Sequence, residues 1–159
     1  MLGFLLSLLA GRGAQASAKP GTSLPLQYPV LLFGEGRILV MDTVEKLTST
    51  QGSSGLYYPS LQLIDAAGNL HRIVKAREFG RKSWVLDMGT GTFHVHLVLK
   101  RLKTLKLAEA RKLLLELVSD PESSWSRWPG GSARAVAQLE SCNSLGELME
   151  ECRRSWDWH

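Results

Sequence analysis

The chain has 159 residues, 44% of them apolar and 21% charged, with a net charge of +4 and two cysteines. That composition is globular and long enough for one domain with its own core. Two cysteines without a CxxC pair make neither a disulfide framework nor a zinc site, and no apolar run reaches the ~20 residues of a membrane-spanning helix.

Residues 1–10, M-L-G-F-L-L-S-L-L-A, are strongly apolar. They read as a short helix docked on the domain, a partner or a membrane surface. The alternative is an export signal ending at Ala14-Gln15-Ala16, but no Lys or Arg precedes the apolar run. A cytoplasmic location follows from the first reading and export from the second, with residues 1–16 cleaved. Residues 11–25, rich in Gly, Ala, Ser and Pro, read as a linker. Residues 1–25 are thus an appendage, and 26–159 a single domain.

The runs 28–33 and 37–41 predict strands joined by a tight turn at Gly34-Glu35-Gly36, at least one of them buried on both faces. Residues 43–48 are ambiguous, and 49–55 read as a flexible loop. The runs 61–65 and 69–76 flank Ala66-Ala67-Gly68, which suits a type I turn followed by a left-handed glycine. That loop sets Leu61 against Ile73 and Leu63 against His71, making His71 a packed histidine on an apolar face. Residues 77–82 read as a basic connection.

The clearest hairpin signal is residues 83–100, with Gly89-Thr90-Gly91-Thr92 between two apolar-rich runs. A two-residue loop pairs Met88 with Phe93, Leu86 with Val95 and Trp84 with Leu97, which gathers the apolar side chains on one face. It also sets Asp87 opposite His94 and Val85 opposite His96. Asp87, His94 and His96 then share a face and form a candidate metal or catalytic site. Two imidazoles and a carboxylate suit zinc or iron, and without metal Asp87 could orient His94 as a general base. The competing reading is an ordinary polar strand face that needs no cofactor.

Residues 107–118 form the strongest helix, with one apolar stripe ended by Asp120-Pro121. A helix over 133–141 and a last helix opened by the Ser144/Glu147 capping box follow. The last helix carries Leu145, Leu148, Met149, Cys152 and Trp156 on one face and a Glu150–Arg154 pair. Cys142 and Cys152 are expected as buried free thiols rather than a bridge between helices.

Strands first and helices afterwards predict an α+β fold: an antiparallel β-sheet of about six strands in hairpins, one face covered by the C-terminal helices. The helix at 107–118 is expected on the Phe93/Val95/Leu97/Leu99 face.

Charge is segregated. Residues 71–112 hold eleven basic and three acidic side chains, and residues 113–159 hold four and eight. With no nucleophile elbow, P-loop, dinucleotide fingerprint or HExxH, the leading expectation is a non-enzymatic module acting through protein–protein contact, of adaptor or toxin-neutralising type. Trp125, Arg127, Trp128, Trp156 and Trp158 are its candidate contact residues. The alternatives are the metal-dependent enzyme and nucleic-acid binding. An anion-binding patch would draw on Arg72, Lys75, Arg77, Arg81, Lys82, Lys100, Arg101 and Lys103, with Lys106 beside them.

Overall fold

A seven-stranded sheet carries the fold in the computed structural model, which describes residues 20–51, 58–79, 92–122 and 131–156. In chain order the elements are β1 (Gly21–Thr22), β2 (Val30–Gly34), β3 (Arg37–Met41), α1 (Val44–Thr48), β4 (Ser49–Gln51), a 3-10 turn at Tyr58–Ser60, β5 (Gln62–Ile64), β6 (Asn69–Phe79), β7 (Thr92–Thr104), α2 (Leu107–Ser119), α3 (Gly131–Ser141) and α4 (Leu145–Trp156). The strands lie in the order β1-β7-β6-β5-β2-β3, with β4 also paired to β7. Every pairing is antiparallel except that of β1 with β7. The α+β class and the C-terminal helical cover are as the sequence predicts.

Local chemistry sets the short hairpins. Gly34 pairs with Arg37, so Glu35 and Gly36 form a two-residue loop with φ of 50° and 70°. Both are left-handed, which matches the strand twist of such hairpins. Val30 to Phe33 of β2 are all buried, so this strand has core on both faces. In the next hairpin Gly68 takes φ 83°. Its N–H donates to Asp65 O at 2.8 Å, and the Asp65 N–H donates to Asn69 O at 3.1 Å. Leu63 pairs with His71, and the Ile73 N–H donates to Leu61 O at 3.5 Å, the register the turn dictates.

The long hairpin departs from expectation. The partner of β7 is β6, through ten residue pairs running from Asn69–Thr104 to Phe79–His94. On its other edge β7 meets Ser49, Thr50 and Gln51 of β4 and Gly21 and Thr22 of β1. Both edges at His94, His96 and Leu97 are therefore taken, and Trp84 and Val85 cannot be the strand partners of Leu97 and His96. Residues 80–91, including the expected Gly-Thr-Gly turn, lie outside the described residues. The physical reason is that the β6–β7 ladder gains a backbone pairing at each of its positions, a long-range gain that a local bend signal does not carry. The same ladder draws 77–79 into β6, 49–51 into β4 and the linker's Gly21–Thr22 into β1, segments whose composition suggests connections.

Two cores sandwich the sheet. On one face Leu31, Phe33, Ile38, Ile64 and Leu70 pack against Ala110, Leu114 and Val118 of α2, Ala135 and Leu139 of α3, and Leu148, Met149 and Cys152 of α4. On the other face Val30, Leu32, Leu63, Ile73, Val95, Leu97 and Leu99 pack with Leu47, Tyr58 and Leu61, flanked by Leu24, Leu26 and Tyr28. So α2 does not cover the Val95/Leu97/Leu99 face. Pairing β7 with β6 places those residues on the side of Leu32 and Leu63, where residues 24–28, α1 and the 3-10 turn supply the cover.

Glu109 opens α2 by accepting from the Lys106 N–H at 3.0 Å. Ser144 Oγ caps α4 by accepting from the Glu147 N–H at 3.1 Å, while Glu147 reaches back to the Asn143 N–H at 2.7 Å. Glu150 meets Arg154 at 3.8 Å, as the spacing predicts. Cys142 and Cys152 are free and buried.

Candidate functional site

Among the described residues the helix layer packs on β2, β3, β5 and the start of β6 at Leu70. Phe33, Gln62, Arg72 and Lys100 stand in one row across the sheet. Phe33 lies in the helix-covered core, whereas Arg72 and Lys100 are exposed. Beyond them the same face of β6 and β7 carries the pairs Lys75–Val98 and Arg77–His96, and Lys75 and Arg77 are exposed. The side chains alternate because strand residues point to opposite faces. Ile73, Val95, Leu97 and Leu99 go into the second core, and the cations come out.

Two bulges enlarge the outward row. The register skips Val74 between Ile73 and Lys75, and it skips Leu102 between Arg101 and Lys103. A bulge places two residues opposite one and bends the strand. Val74 and Leu102 are 54% and 45% exposed, the two large apolar side chains that stand out among the described residues. The site is therefore a ribbon of cations with aliphatic residues between them.

Its electrostatics are one-sided. Among the described residues Arg72, Lys75, Arg77 and Lys100 make no ion pair. The acidic residue of this ribbon, Glu78, pairs with Val95 and so belongs to the opposite face. The other expected cations are separated from this set. Arg101 pairs with His71 on the opposite face and donates to Asn69 Oδ1 and, at 2.9 Å, to Thr104 Oγ1. Lys103 is salt-bridged to Glu109 at 3.0 Å, and Lys106 heads α2. Arg81 and Lys82 lie outside the described residues.

His94 and His96 share the outward face, as expected, with His94 exposed and His96 half-buried. Ser49 Oγ and His94 Nδ1 are hydrogen-bonded at 3.2 Å. His96 is flanked by Gly21 of β1 and Arg77 of β6. Asp87 lies outside the described residues. The register that put it opposite His94 does not hold, because Phe79 and Ser49 occupy those positions. Among the described residues no three His, Cys, Asp or Glu side chains converge as a metal would require.

His71 has a different environment. It is 2% exposed, and its Nε2 lies 3.6 Å from Asp65 Oδ2. Asp65 is already committed to the turn, since it accepts from Ala67 N–H at 3.0 Å, Asn69 N–H at 2.9 Å and Asn69 Nδ2 at 3.1 Å. Neither ring nitrogen of His71 has a hydrogen-bond partner among the described residues. Burial lowers the pKa of His71, and it outweighs the opposing attraction of Asp65. The pair sits inside the sheet and is structural.

A cleft of about 360 Å³ opens where the ribbon meets α2. Leu70, Leu105 and Leu113 line it, with Lys103, Lys112, Glu109 and Glu116 also on its wall. Sequence reasoning missed this cleft because it depends on where α2 crosses the sheet. Trp125, Arg127, Trp128 and Trp158 lie outside the described residues, as does the side chain of Trp156.

No protein-family model, no curated protein and no solved structure matches this chain.

Proposed function

We propose that the protein is a binding module that docks an acidic protein partner on the outward face of β6 and β7. The observation that carries this reading is the cross-strand row of Arg72, Lys75, Arg77 and Lys100, exposed and without an ion pair among the described residues. Like charges directly opposed on a sheet destabilise it. Arg72 faces Lys100 in this way, and an anionic partner would relieve that repulsion. Arg72 and Arg77 pair with Lys100 and His96, four positions apart on β7, roughly 13 Å at the rise of a strand, so the row spans several carboxylates of a partner surface. A concentrated charge of one sign also steers encounter and raises the association rate.

A nucleic acid would meet the same cations. Sheets that bind single strands present aromatic platforms to the bases, whereas Val74, Val98 and Leu102 between these cations are aliphatic, and the rings of His96 and His94 stand at the Arg77 end of the row. That chemistry favours a protein. Affinity capture with the full chain from the cells that encode it, with and without nuclease, tests the reading. The expected result is a stoichiometric partner with an acidic surface, retained after nuclease, released by high salt and lost with Arg72→Glu/Lys75→Glu. Retention that disappears with nuclease would replace the protein reading with nucleic-acid binding.

A further inference from the structure

We infer that the partner engages through an acidic segment bearing one large apolar side chain, and that this side chain enters the cleft between the β6–β7 ribbon and α2. The inference rests on the binding face proposed above and specifies its ligand. The cleft is continuous with that face, because Lys103 lies on its wall and the exposed Leu102 and Lys100 precede it on β7. Lys100 and Lys103 pair with Arg72 and Leu70, two positions apart on β6, roughly 7 Å along a strand, so one short segment reaches both the row of cations and the cleft.

The lining fits a single anchor. Leu70, Leu105 and Leu113 give it apolar walls. A volume of about 360 Å³ lies at the small end of ligand sites, which suits a side chain or two rather than a whole helix. Lys112 is exposed on the wall and has no ion pair among the described residues, so it can accept a carboxylate flanking the anchor. Lys103 is held by Glu109 at 3.0 Å, which fixes one side of the mouth. On the wall Lys103 and Lys112 are balanced by Glu109 and Glu116, so the recess selects the register, while the exposed cations Arg72, Lys75, Arg77 and Lys100 leading to it select the acidic sign.

Short synthetic acidic peptides provide the test, each carrying one leucine at a scanned position, with alanine at that position as the control. Fluorescence anisotropy with the full-length protein reads the affinity. The best leucine peptide is expected to bind roughly tenfold or more tighter than its alanine control, the scale set by burying one large aliphatic side chain. Leu113→Gln, checked for folding by circular dichroism, is expected to abolish that difference while leaving the alanine peptide's affinity in place. Equal binding of leucine and alanine peptides would overturn the cleft and leave the basic face standing. A leucine preference that survives Leu113→Gln would also overturn the cleft, placing the anchor elsewhere. Binding of neither peptide would overturn the cleft and the face together.

Discussion

Arg72 and Lys100 face each other directly across β6 and β7, with no carboxylate paired to either among the described residues. Reversing one of these charges gives opposite signs in two measurements. Lys100→Glu converts a repulsive cross-strand pair into an attractive one and is expected to stabilise the free protein by roughly 0.2–1 kcal/mol in urea unfolding. The same change is expected to weaken partner binding. A surface kept only for solubility would gain the stability without losing the binding.

The β5–β6 turn is expected to be intolerant of a side chain at Gly68. The residue is left-handed, with φ 83°, and an added Cβ would come within 2.8 Å of Leu105 O. That backbone is fixed by the Leu105 N–H, which donates to Gly68 O at 2.8 Å. Gly68→Ala is expected to destabilise by at least about 1–2 kcal/mol from the backbone conformation alone, with the close approach adding to it. A change in denaturation midpoint within experimental error would contradict the turn geometry.

Stability is expected to fall on mild acidification through His71. Its pKa is lowered in the fold by burial, against the pull of Asp65. A base with a depressed folded pKa binds its proton more readily in the unfolded chain. Its contribution is therefore intact above the unfolded value, near 6.5, and is lost as pH falls below it. Urea midpoints between about pH 7.5 and 5.5, which bracket that value, should fall for the wild type and fall less for His71→Leu. Equal slopes would show that another group carries the acid sensitivity.

The two thiols are expected to be inert in the native state. Burial pushes the Cys152 thiol up to about 12, and it raises that of Cys142 as well. Since the thiolate is the reactive form, a thiol reagent at neutral pH should label neither residue until the protein unfolds. Rapid labelling of the folded protein would contradict the packing of α4 against α2 and α3.

Parts of this fold are legible in the sequence where a local interaction decides the outcome. Gly68 with Asp65 sets the register of Leu63 and His71, Asp120-Pro121 ends α2, and Ser144 caps α4. Where two distant segments compete for one edge, local signals mislead. The Gly89-Thr90-Gly91-Thr92 bend suggests a hairpin beginning at Trp84, yet His94 to Leu97 have Ala76 to Phe79 on one side and β4 and β1 on the other. For the same reason, the face on which α2 lies follows from the strand order rather than from its own apolar stripe. The candidate site is legible only in part. Its cations fall within the basic stretch 71–112, but the sequence does not separate Arg72, Lys75, Arg77 and Lys100 from Arg101 and Lys103. Two bulges and the turn network around Asn69 make that division.

The central claim is that the outward face of β6 and β7 receives an acidic ligand. Nuclear magnetic resonance titration of the labelled full-length protein with an acidic leucine-bearing peptide tests it residue by residue. The account predicts amide shifts concentrated at Arg72–Arg77 and Val98–Lys103, reversed when ionic strength is raised to about 1 M, where the screening length falls to about 3 Å. Shifts confined to other surfaces, or none on this ribbon at saturating peptide, would contradict it.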